Sequence, residues 1–227
     1  MIVVGFDTAT SSTAAAVLLA DGRAFERRDD PEPGARPAHA ARLLAAAEEA
    51  LGAAGVGWED VDRLAIGVGP GSFTGLRIGI ATARALAQGR GLPLVGVSSL
   101  EALARGAQAP VVLAVLDARR GEAFAAAYKG SDPLRVVEGF APAALAPDAL
   151  AERVRALTAT PLAVGDGAIR FRSALEAAGA RVPPDEDGAH RLRAEHLCRL
   201  GAEGSPTQRD ALLPDYLREP DAVPRQR

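Results

Sequence analysis

A glycine-rich block from Gly67 to Gly79, with the sequence GVGPGSFTGLRIG, has the residue types and spacing that could do chemistry. It joins an apolar strand predicted over residues 63–68 to a helix predicted over 74–88. Its glycines allow tight turns and close approach by another surface, since they have no Cβ. Ser72 or Thr74 can cap the helix, and the free amides of its first turn point outward. Such a turn can receive an anion or another protein.

The block does not match the generic phosphate-binding or nucleophile motifs. A P-loop requires a second glycine five positions after the first and then a lysine, but Thr74 stands five after Gly69 and Lys129 is the only lysine. A dinucleotide fingerprint would have its third glycine where Ser72 stands. A nucleophile elbow would have glycine in place of Pro70. The block is therefore not a generic nucleotide loop.

Six segments together resemble one known family. GPGSFTGLRIG is similar to the signature of the TsaB (YeaZ) family, bacterial proteins of tRNA threonylcarbamoyladenosine synthesis. The other matching segments occur in the order that the family shows, so the resemblance spans almost the full chain. These segments are DTAT at 7–10, VSSLEAL at 97–103, DARRGE at 117–122, VGDG at 164–167 and PDYLR at 214–218.

The order of predicted elements suggests an internal duplication. The first half has strands at 2–6, 13–20 and 23–28, a helix at 37–52, a strand at 63–68 and a helix at 74–88. The second half repeats this with strands at 111–116, 122–128 and 134–139, a helix at 147–156, a strand at 162–165 and a helix at 168–178. The pattern predicts an α/β protein of the actin-like ATPase (ASKHA) fold, with two tandem ribonuclease H-like subdomains whose mixed sheets are flanked by helices. The resemblance implies the same fold.

We expect the first subdomain to cover residues 1–106 and the second residues 107–227, and the last segment can pack back on the first subdomain. A further short helix is predicted over 193–200. An Asp-Gly pair at residues 21–22 predicts the hairpin turn between the second and third strands.

Composition limits the function classes. The 227 residues are 48% hydrophobic, and no window approaches the roughly 18 uninterrupted apolar residues of a membrane span. Residues 1–6 show no export signal, and Cys198 has no partner for an internal disulfide, so we expect a cytoplasmic protein. The net charge of −3 and the absence of a dense basic run argue against autonomous tRNA binding.

An actin-like ATPase would need a phosphate-binding turn after the first strand. Asp7 stands in the place of the first carboxylate, but the turn at 8–12 has neither glycine nor lysine. Its hydroxyls could bind phosphate or could close a hairpin through bonds to the backbone, and we favour the hairpin. Asp117 and Asp166 are plausible equivalents in the second half, although the sequence does not show that they converge. The candidate nucleotide-binding residues are Asp7, Thr8, Gly69, Gly71 and Ser72. We expect no tightly bound cofactor, while ATP or ADP could bind in a complex.

The sequence predicts no catalytic metal centre. The resemblance points to a catalytic paralogue, TsaD, in which one helix carries two metal-binding histidines four residues apart. Here His39 is followed four residues later by Leu43, and His190 and His196 are six residues apart. We therefore expect no metal site and no catalytic residue in this chain.

The helices at 37–52 and 74–88 are the candidate partner-binding surface. The second is apolar nearly all round, which fits either a layer covering a sheet or a helix buried on two sides. The resemblance favours the second interpretation, because TsaB proteins pair with TsaD through these helices and can self-associate through them. The candidate interface residues are His39, Leu43, Leu44, Ala47, Thr74, Arg77, Ile78, Ala81 and Arg84.

The resemblance implies a non-catalytic subunit that activates threonylcarbamoyl transfer to the tRNA adenosine adjacent to the anticodon. It would form a heterodimer with TsaD, be joined by the small ATPase TsaE, meet tRNA only through the complex and form a homodimer when alone. The alternatives are an independent small-molecule kinase or ATPase of the actin-like fold, and a self-contained regulatory homodimer.

Overall fold

The computed structural model describes residues 1–32, 34–130 and 133–218 of the protein. Its first sheet contains β1 (Val3–Asp7), β2 (Thr13–Leu18), β3 (Ala24–Asp29), β4 (Arg63–Gly69) and β5 (Leu94–Ser98), in the order β3-β2-β1-β4-β5. Strands β1, β4 and β5 are parallel, and β2 and β3 are antiparallel to their neighbours. The apolar runs of β1 and β2 are buried along their whole length because helices cover both faces of the sheet.

The second sheet repeats the order of the first. It contains β6 (Val111–Arg119), β7 (Glu122–Lys129), β8 (Arg135–Val136), β9 (Ala143–Leu145) and β10 (Leu162–Val164). The order is β10-β6-β7-β8, and β9 also pairs with β7. As β1 does in the first sheet, β6 lies between a parallel and an antiparallel neighbour.

Seven α-helices cover the sheets in the described part of the chain: α1 (His39–Ala54), α2 (Phe73–Arg90), α3 (Ser99–Arg105), α4 (Pro147–Arg155), α5 (Asp166–Arg170), α6 (Arg172–Ala177) and α7 (Ala194–Glu203). Single 3₁₀ turns occupy Trp58–Asp60, Gly188–His190 and Arg209–Ala211.

The helices form three layers around the two sheets. Helices α1 and α2 lie on the outer face of the first sheet, and α4, α5 and α6 lie on the second. Helix α3 bridges the sheets by packing against β4, β5, β6 and β7, while α7 packs beside it on β1, β2 and β4. One buried cluster therefore contains residues of both sheets, such as Val95 and Phe124. This is the α/β architecture that the sequence predicts.

Several elements differ from the prediction, and strand β9 (Ala143–Leu145) is one that was not predicted. Helix α3 was not predicted, although Ser98 and Glu101 form the start signal that its cap uses, with the Ser98 hydroxyl accepting from the Glu101 N–H at 3.4 Å. The predicted strand at 134–139 is shorter because Gly139 turns the chain with φ of 80°. The predicted helix at 168–178 is divided at Phe171, whose φ is −103°.

The division into subdomains at residue 106 stays a prediction, and residues 219–227 of its second part lie outside the described residues. Within the described part of the chain, no helix combines the length and apolar character that crossing a membrane requires. The cytoplasmic location also stays a prediction.

Helix α7 lies unusually close to the first sheet. A Cβ added at Gly5 would lie 2.7 Å from the Cys198 sulfur and 3.3 Å from the Ala194 carbonyl oxygen. A Cβ added at Gly201 would lie 2.4 Å from the Cβ of Ala65. Burial raises the pKa of the Cys198 thiol, which donates to the Ala16 carbonyl at 3.4 Å. Glycines on both surfaces thus permit the contact.

We expect Gly5→Ala to lower the free energy of unfolding by about 1–3 kcal/mol, because the added methyl group must push α7 off the sheet. Urea denaturation of the full chain measures this. Gly52→Ala is the matched control: it lies in α1 with no atom within 4 Å of the added Cβ. It should raise the free energy of unfolding by about 0.5–1 kcal/mol, since alanine favours a helix. Equal effects of the two changes would contradict this account of the α7 contact.

Candidate functional site

The glycine-rich block packs against the turn that follows β1. A Cβ added at Gly75 would lie 1.9 Å from the Thr8 carbonyl oxygen, and one at Gly71 would lie 2.5 Å from the Cβ of Ala9. The Ser72 N–H donates to the Ala9 carbonyl at 2.7 Å, and the Thr8 hydroxyl donates to the Gly75 carbonyl at 2.7 Å. The close approach that these glycines permit is therefore made to a segment of the same chain.

Ser72 is the residue that caps α2, and its hydroxyl accepts from the Gly75 N–H at 3.3 Å. The other candidate, Thr74, is exposed in the first turn. In the turn after β1, the Thr10 hydroxyl accepts from the Ser12 N–H at 3.2 Å, so the predicted side-chain closure of this turn is confirmed. Gly69 has φ of 111°, where a non-glycine residue would be strained.

Asp7 is buried inside the first sheet. Its carboxylate accepts from the Ala9 N–H at 2.6 Å and from the Ser99 hydroxyl at 2.7 Å. A Cβ added at Gly67 would lie 1.8 Å from its Oδ2. Burial raises the pKa of Asp7, and the two hydrogen bonds oppose that rise. The carboxyl group that heads the predicted nucleotide site is thus enclosed by its own chain and ties the turn after β1 to the start of α3.

A cleft of about 390 Å³ opens between the ends of the two sheets. Its walls come from the turn after β1, the first turn of α2, the β6–β7 hairpin, the start of α5 and the late segment of the chain. The polar residues that line it are Thr10, Ser72, Thr74, Asp117, Arg119, Asp166, Asp215, Tyr216 and Arg218. Gly71 and Ser72 line this cleft, whereas Asp7 and Thr8 lie behind its wall.

Asp117 and Asp166 meet at one wall of this cleft, a point that the sequence left open. The Asp117 N–H donates to the Asp166 carboxylate at 3.0 Å. Burial raises the pKa of Asp166, and the nearby charge of Asp117 adds to the rise. Arg170 and Arg119 lie 2.9 Å and 3.4 Å from the Asp117 carboxylate, so both acids have partners within the chain.

Across the described ranges, no group of three or more His, Cys, Asp or Glu side chains is placed to hold a metal ion. The three histidines lie on different elements. His39 begins α1, where its Nδ1 is 2.8 Å from the Thr13 hydroxyl and burial lowers its pKa. The His190 Nδ1 meets the backbone of Gly165, and His196 lies on α7.

The predicted partner residues divide into buried and accessible groups. His39, Leu43 and Ala47 are almost fully buried under α1, facing the first sheet, so they do not reach the surface. Helical spacing alone did not say which face of α1 lies against the sheet. Leu44, Thr74, Arg77 and Ala81 are exposed, and Ile78 and Arg84 are half-buried. Leu44 is 47% exposed.

The two predicted interface arginines hold a segment of their own chain. The Arg84 guanidinium donates to the carbonyls of Asp210 and Leu212 at 3.0 Å and 2.6 Å. The Arg77 guanidinium lies 4.0 Å from the centre of the Phe73 ring and donates to the Tyr216 hydroxyl at 3.2 Å. The sequence analysis expected that the last segment can pack back on the first subdomain, but it did not name the contacts that Arg77 and Arg84 make with residues 210–216.

Comparison with known proteins identifies the family. A family model described as "TsaD: tRNA N6-adenosine threonylcarbamoyltransferase" matches residues 31–139. The tRNA threonylcarbamoyladenosine biosynthesis protein TsaB of Escherichia coli is 36% identical over 190 residues, which cover 79% of this chain and 80% of that protein. The chain belongs to the TsaB family.

Solved structures agree with the TsaB assignment. YeaZ from Pseudomonas aeruginosa superposes with a TM-score of 0.78 at 28% identity, covering 95% of this chain and 99% of that one. The ROK hexokinase of Thermus thermophilus has a TM-score of 0.51 at 16% identity, with 89% of this chain and 99% of that chain covered. This second likeness shows the fold alone, which TsaB-family chains thus share with a sugar kinase.

We expect the buried carboxyl group of this TsaB-family chain to give stability a distinct pH dependence. Because the pKa of Asp7 is raised in the folded state above its ordinary value of 3.8, the folded chain holds this proton more tightly than the unfolded chain does. The stabilisation is therefore present below pH 3.8 and is lost as the pH rises through the folded-state pKa. Asp7→Asn should remove that loss, since an amide can accept from Ala9 and donate to Ser99.

Urea denaturation from acid to neutral pH measures this effect. Relative to the unchanged protein, the free energy of unfolding of Asp7→Asn should rise toward neutral pH. Asp21→Asn is the control, since Asp21 is an exposed carboxylate whose pKa is lowered by bonds from Arg23, so its difference from the unchanged protein should have the opposite sign. A difference between Asp7→Asn and the unchanged protein that did not vary with pH would contradict the assignment.

Proposed function

We propose that this chain takes part in tRNA threonylcarbamoyladenosine biosynthesis as a non-catalytic scaffold that activates TsaD by forming a heterodimer with it. The proposal rests on one combination of features: the turn after β1, where a phosphate would bind, is filled by the chain itself, and the outer face of α1 and α2 is exposed. The turn after β1 is filled by residues 71–75, while α1 and α2 present accessible apolar side chains. The pathway is that of the E. coli relative, a tRNA threonylcarbamoyladenosine biosynthesis protein.

The lack of catalysis rests on how the polar groups are used. In an actin-like enzyme, the turn after the first strand and a neighbouring carboxylate would face a phosphate and its metal ion. Here the Ala9 carbonyl accepts from Ser72, and the Asp7 carboxylate accepts from Ala9 and Ser99. Groups that are satisfied inside the protein and enclosed by backbone offer little to a ligand.

The pairing surface is the outer face of α1 and α2, defined by Ala41, Leu44, Ile78, Ala81 and Ala85. All but Ile78 are exposed, and Ile78 is half-buried. Small side chains at these positions allow another helix to approach closely, and Leu44 and Ile78 supply apolar area to bury. An apolar stripe that remains accessible after the sheet is covered is typical of an interaction surface.

The region that matches the TsaD family model includes α1 and α2, so the same helix pair is expected in both proteins. Two related surfaces can pack about an approximate two-fold axis, and two copies of this chain can do so about a true one. We infer that the homodimer of the isolated chain and the heterodimer with TsaD use one face and exclude each other. TsaE would join the heterodimer, nucleotide could bind in the assembled complex, and tRNA would be held through the partners, since the net charge of this chain is −3.

The second candidate function is an independent small-molecule kinase or ATPase. The cleft of about 390 Å³ and the meeting of Asp117 with Asp166 favour it. It requires that the chain alone bind nucleotide with micromolar affinity and turn it over. A regulatory homodimer, the third interpretation, requires that the homodimer persist when TsaD is added.

Light scattering coupled to size-exclusion chromatography should show a dimer of this chain alone and a one-to-one complex after TsaD is added. The expected shift follows from competition for one face. A homodimer that stays intact at excess TsaD, with or without nucleotide and TsaE, would sink the scaffold proposal. Turnover of nucleotide by the isolated chain would then favour the independent enzyme.

A charge placed on the pairing surface should prevent assembly. We expect Leu44→Glu and Ile78→Glu to weaken TsaD binding by at least about thirtyfold, because a carboxylate in the centre of an apolar interface loses its water. Titration calorimetry measures the affinity. Ala177→Glu is the matched control. Ala177 is exposed on α6, which lies on the second sheet, so this variant should bind TsaD with unchanged affinity. Unaltered affinity in the Leu44 variant, which leaves the core untouched, would exclude this face.

A further inference from the structure

The segment from Thr207 to Arg218, here called the strap, crosses from one half of the molecule to the other. It begins as a bridge to β5, where the Thr207 N–H donates to the Leu94 carbonyl at 2.8 Å. It then follows α2 and the loop after β4 toward the cleft. Its one piece of regular structure is the single turn Arg209–Ala211, so contacts with the rest of the chain hold it in place.

Four further contacts attach the strap to the first half. Leu212 is buried in the core beneath α2, and Arg84 clasps the carbonyl groups on either side of residue 211. The Asp215 N–H donates to the Val68 carbonyl at 2.7 Å. The Tyr216 ring stacks on Phe73 with a centroid separation of 5.2 Å, and the guanidinium of Arg77 lies over the Phe73 ring.

The next two residues lead the strap to the second half. Leu217 packs against the buried cluster that the two sheets share, and it lines the cleft together with Phe124 of β7. The Arg218 guanidinium lies 3.0 Å from the Glu122 carboxylate, at the start of β7. Between Asp215 and Arg218, the strap therefore passes from α2 to the second sheet and forms part of the cleft wall.

This position gives the strap a mechanical role. The two sheets are joined at their base by α3, which packs against both. At the mouth of the cleft, the strap connects the first turn of α2 to β7. An irregular segment held by one buried side chain and a few partly exposed contacts can open locally at low free energy, while the base stays folded.

We propose that the strap is a latch that holds the cleft at its present width and keeps the first turn of α2 ordered. Release of Tyr216 frees the mouth of the cleft and loosens the start of the helix whose outer face is the pairing surface. An effect of the latch on pairing with TsaD rests on the proposed function. Its effect on the cleft and on the first turn of α2 in the isolated chain does not.

The test is hydrogen exchange, followed by mass spectrometry, on the full chain. Tyr216→Ala removes the stacking ring, and we expect about tenfold faster exchange in three places: the strap, residues 69–76 and residues 117–124. Leu213→Ala is the matched control, because Leu213 lies on the strap and is 67% exposed. It should leave residues 69–76 and 117–124 unchanged.

Faster exchange confined to the strap would overturn the proposal, since the segment would then be a passive tail. Glu122→Ala provides a second variant that keeps Tyr216 and removes the Arg218 acceptor on β7, and it should speed exchange in the strap from residue 215 onward and in residues 117–124. Unchanged exchange at 117–124 in both variants would also refute the latch.

Affinity for TsaD separates the latch from the proposed function. If the unchanged chain pairs with TsaD, Tyr216→Ala should weaken pairing about tenfold, because a disordered helix start must be ordered on binding. Coupled exchange without any pairing would support the latch and refute the scaffold. Normal pairing of the unchanged chain with TsaD, without coupled exchange in Tyr216→Ala, would support the scaffold and refute the latch.

Discussion

The rest of this structure depends on the backbone contact between residues 71–75 and the turn after β1. At Gly75 and Gly71, the two segments are too close for any side chain to stand between them. That contact leaves no room for a side chain between the turn after β1 and the start of α2, and it fixes the direction in which α2 leaves the sheet. It also sets Phe73 at the mouth of the cleft, where Tyr216 stacks on it. The same contact therefore fills the turn after β1 and places the start of α2 at the cleft.

Asp7 connects this contact to the centre of the molecule. Its carboxylate accepts from the turn after β1 and from Ser99, the first residue of α3. Because α3 packs against both sheets, the position of the closed turn is tied to the layer that joins the two halves. Burial disfavours the charged form of this group, and the enclosed carboxyl stabilises the arrangement through hydrogen bonds. A residue type that would serve a metal ion in an enzyme serves as a structural tie here.

Local patterns in the sequence predicted what local interactions determine. The hairpin at residues 21–22, the cap at Ser72 and the alternation of strands and helices each depend on residues close in the chain, and the structure confirms them. Helix α3 was missed despite the local start signal at Ser98 and Glu101, and the other missed contacts depend on distant residues. Nothing near Arg84 in the sequence indicates that it holds the Leu212 carbonyl, and nothing near Asp117 indicates that its N–H meets Asp166. Helical spacing identified the stripes of α1 but not the one that faces the sheet, so Leu43 and Leu44 were both assigned to the interface.

Glycine, hydroxyl and carboxylate groups at the end of a first strand are what a phosphate site requires, and the same groups can satisfy each other. The difference lies in the distance between two backbone segments. When the two segments are apart, their donors and acceptors remain available to a ligand. When the segments are in contact, these groups form hydrogen bonds with each other. In this chain, the Ala9 carbonyl meets the Ser72 N–H at 2.7 Å, so the polar groups of the turn stabilise the fold itself. The outer face of α1 and α2 carries exposed apolar side chains such as Leu44, and under the proposed function it is the surface that a protein partner covers. Under the proposed function, a chain whose fold is shared with a kinase acts as a subunit because the polar groups after its first strand bond to each other while its helical surface stays exposed.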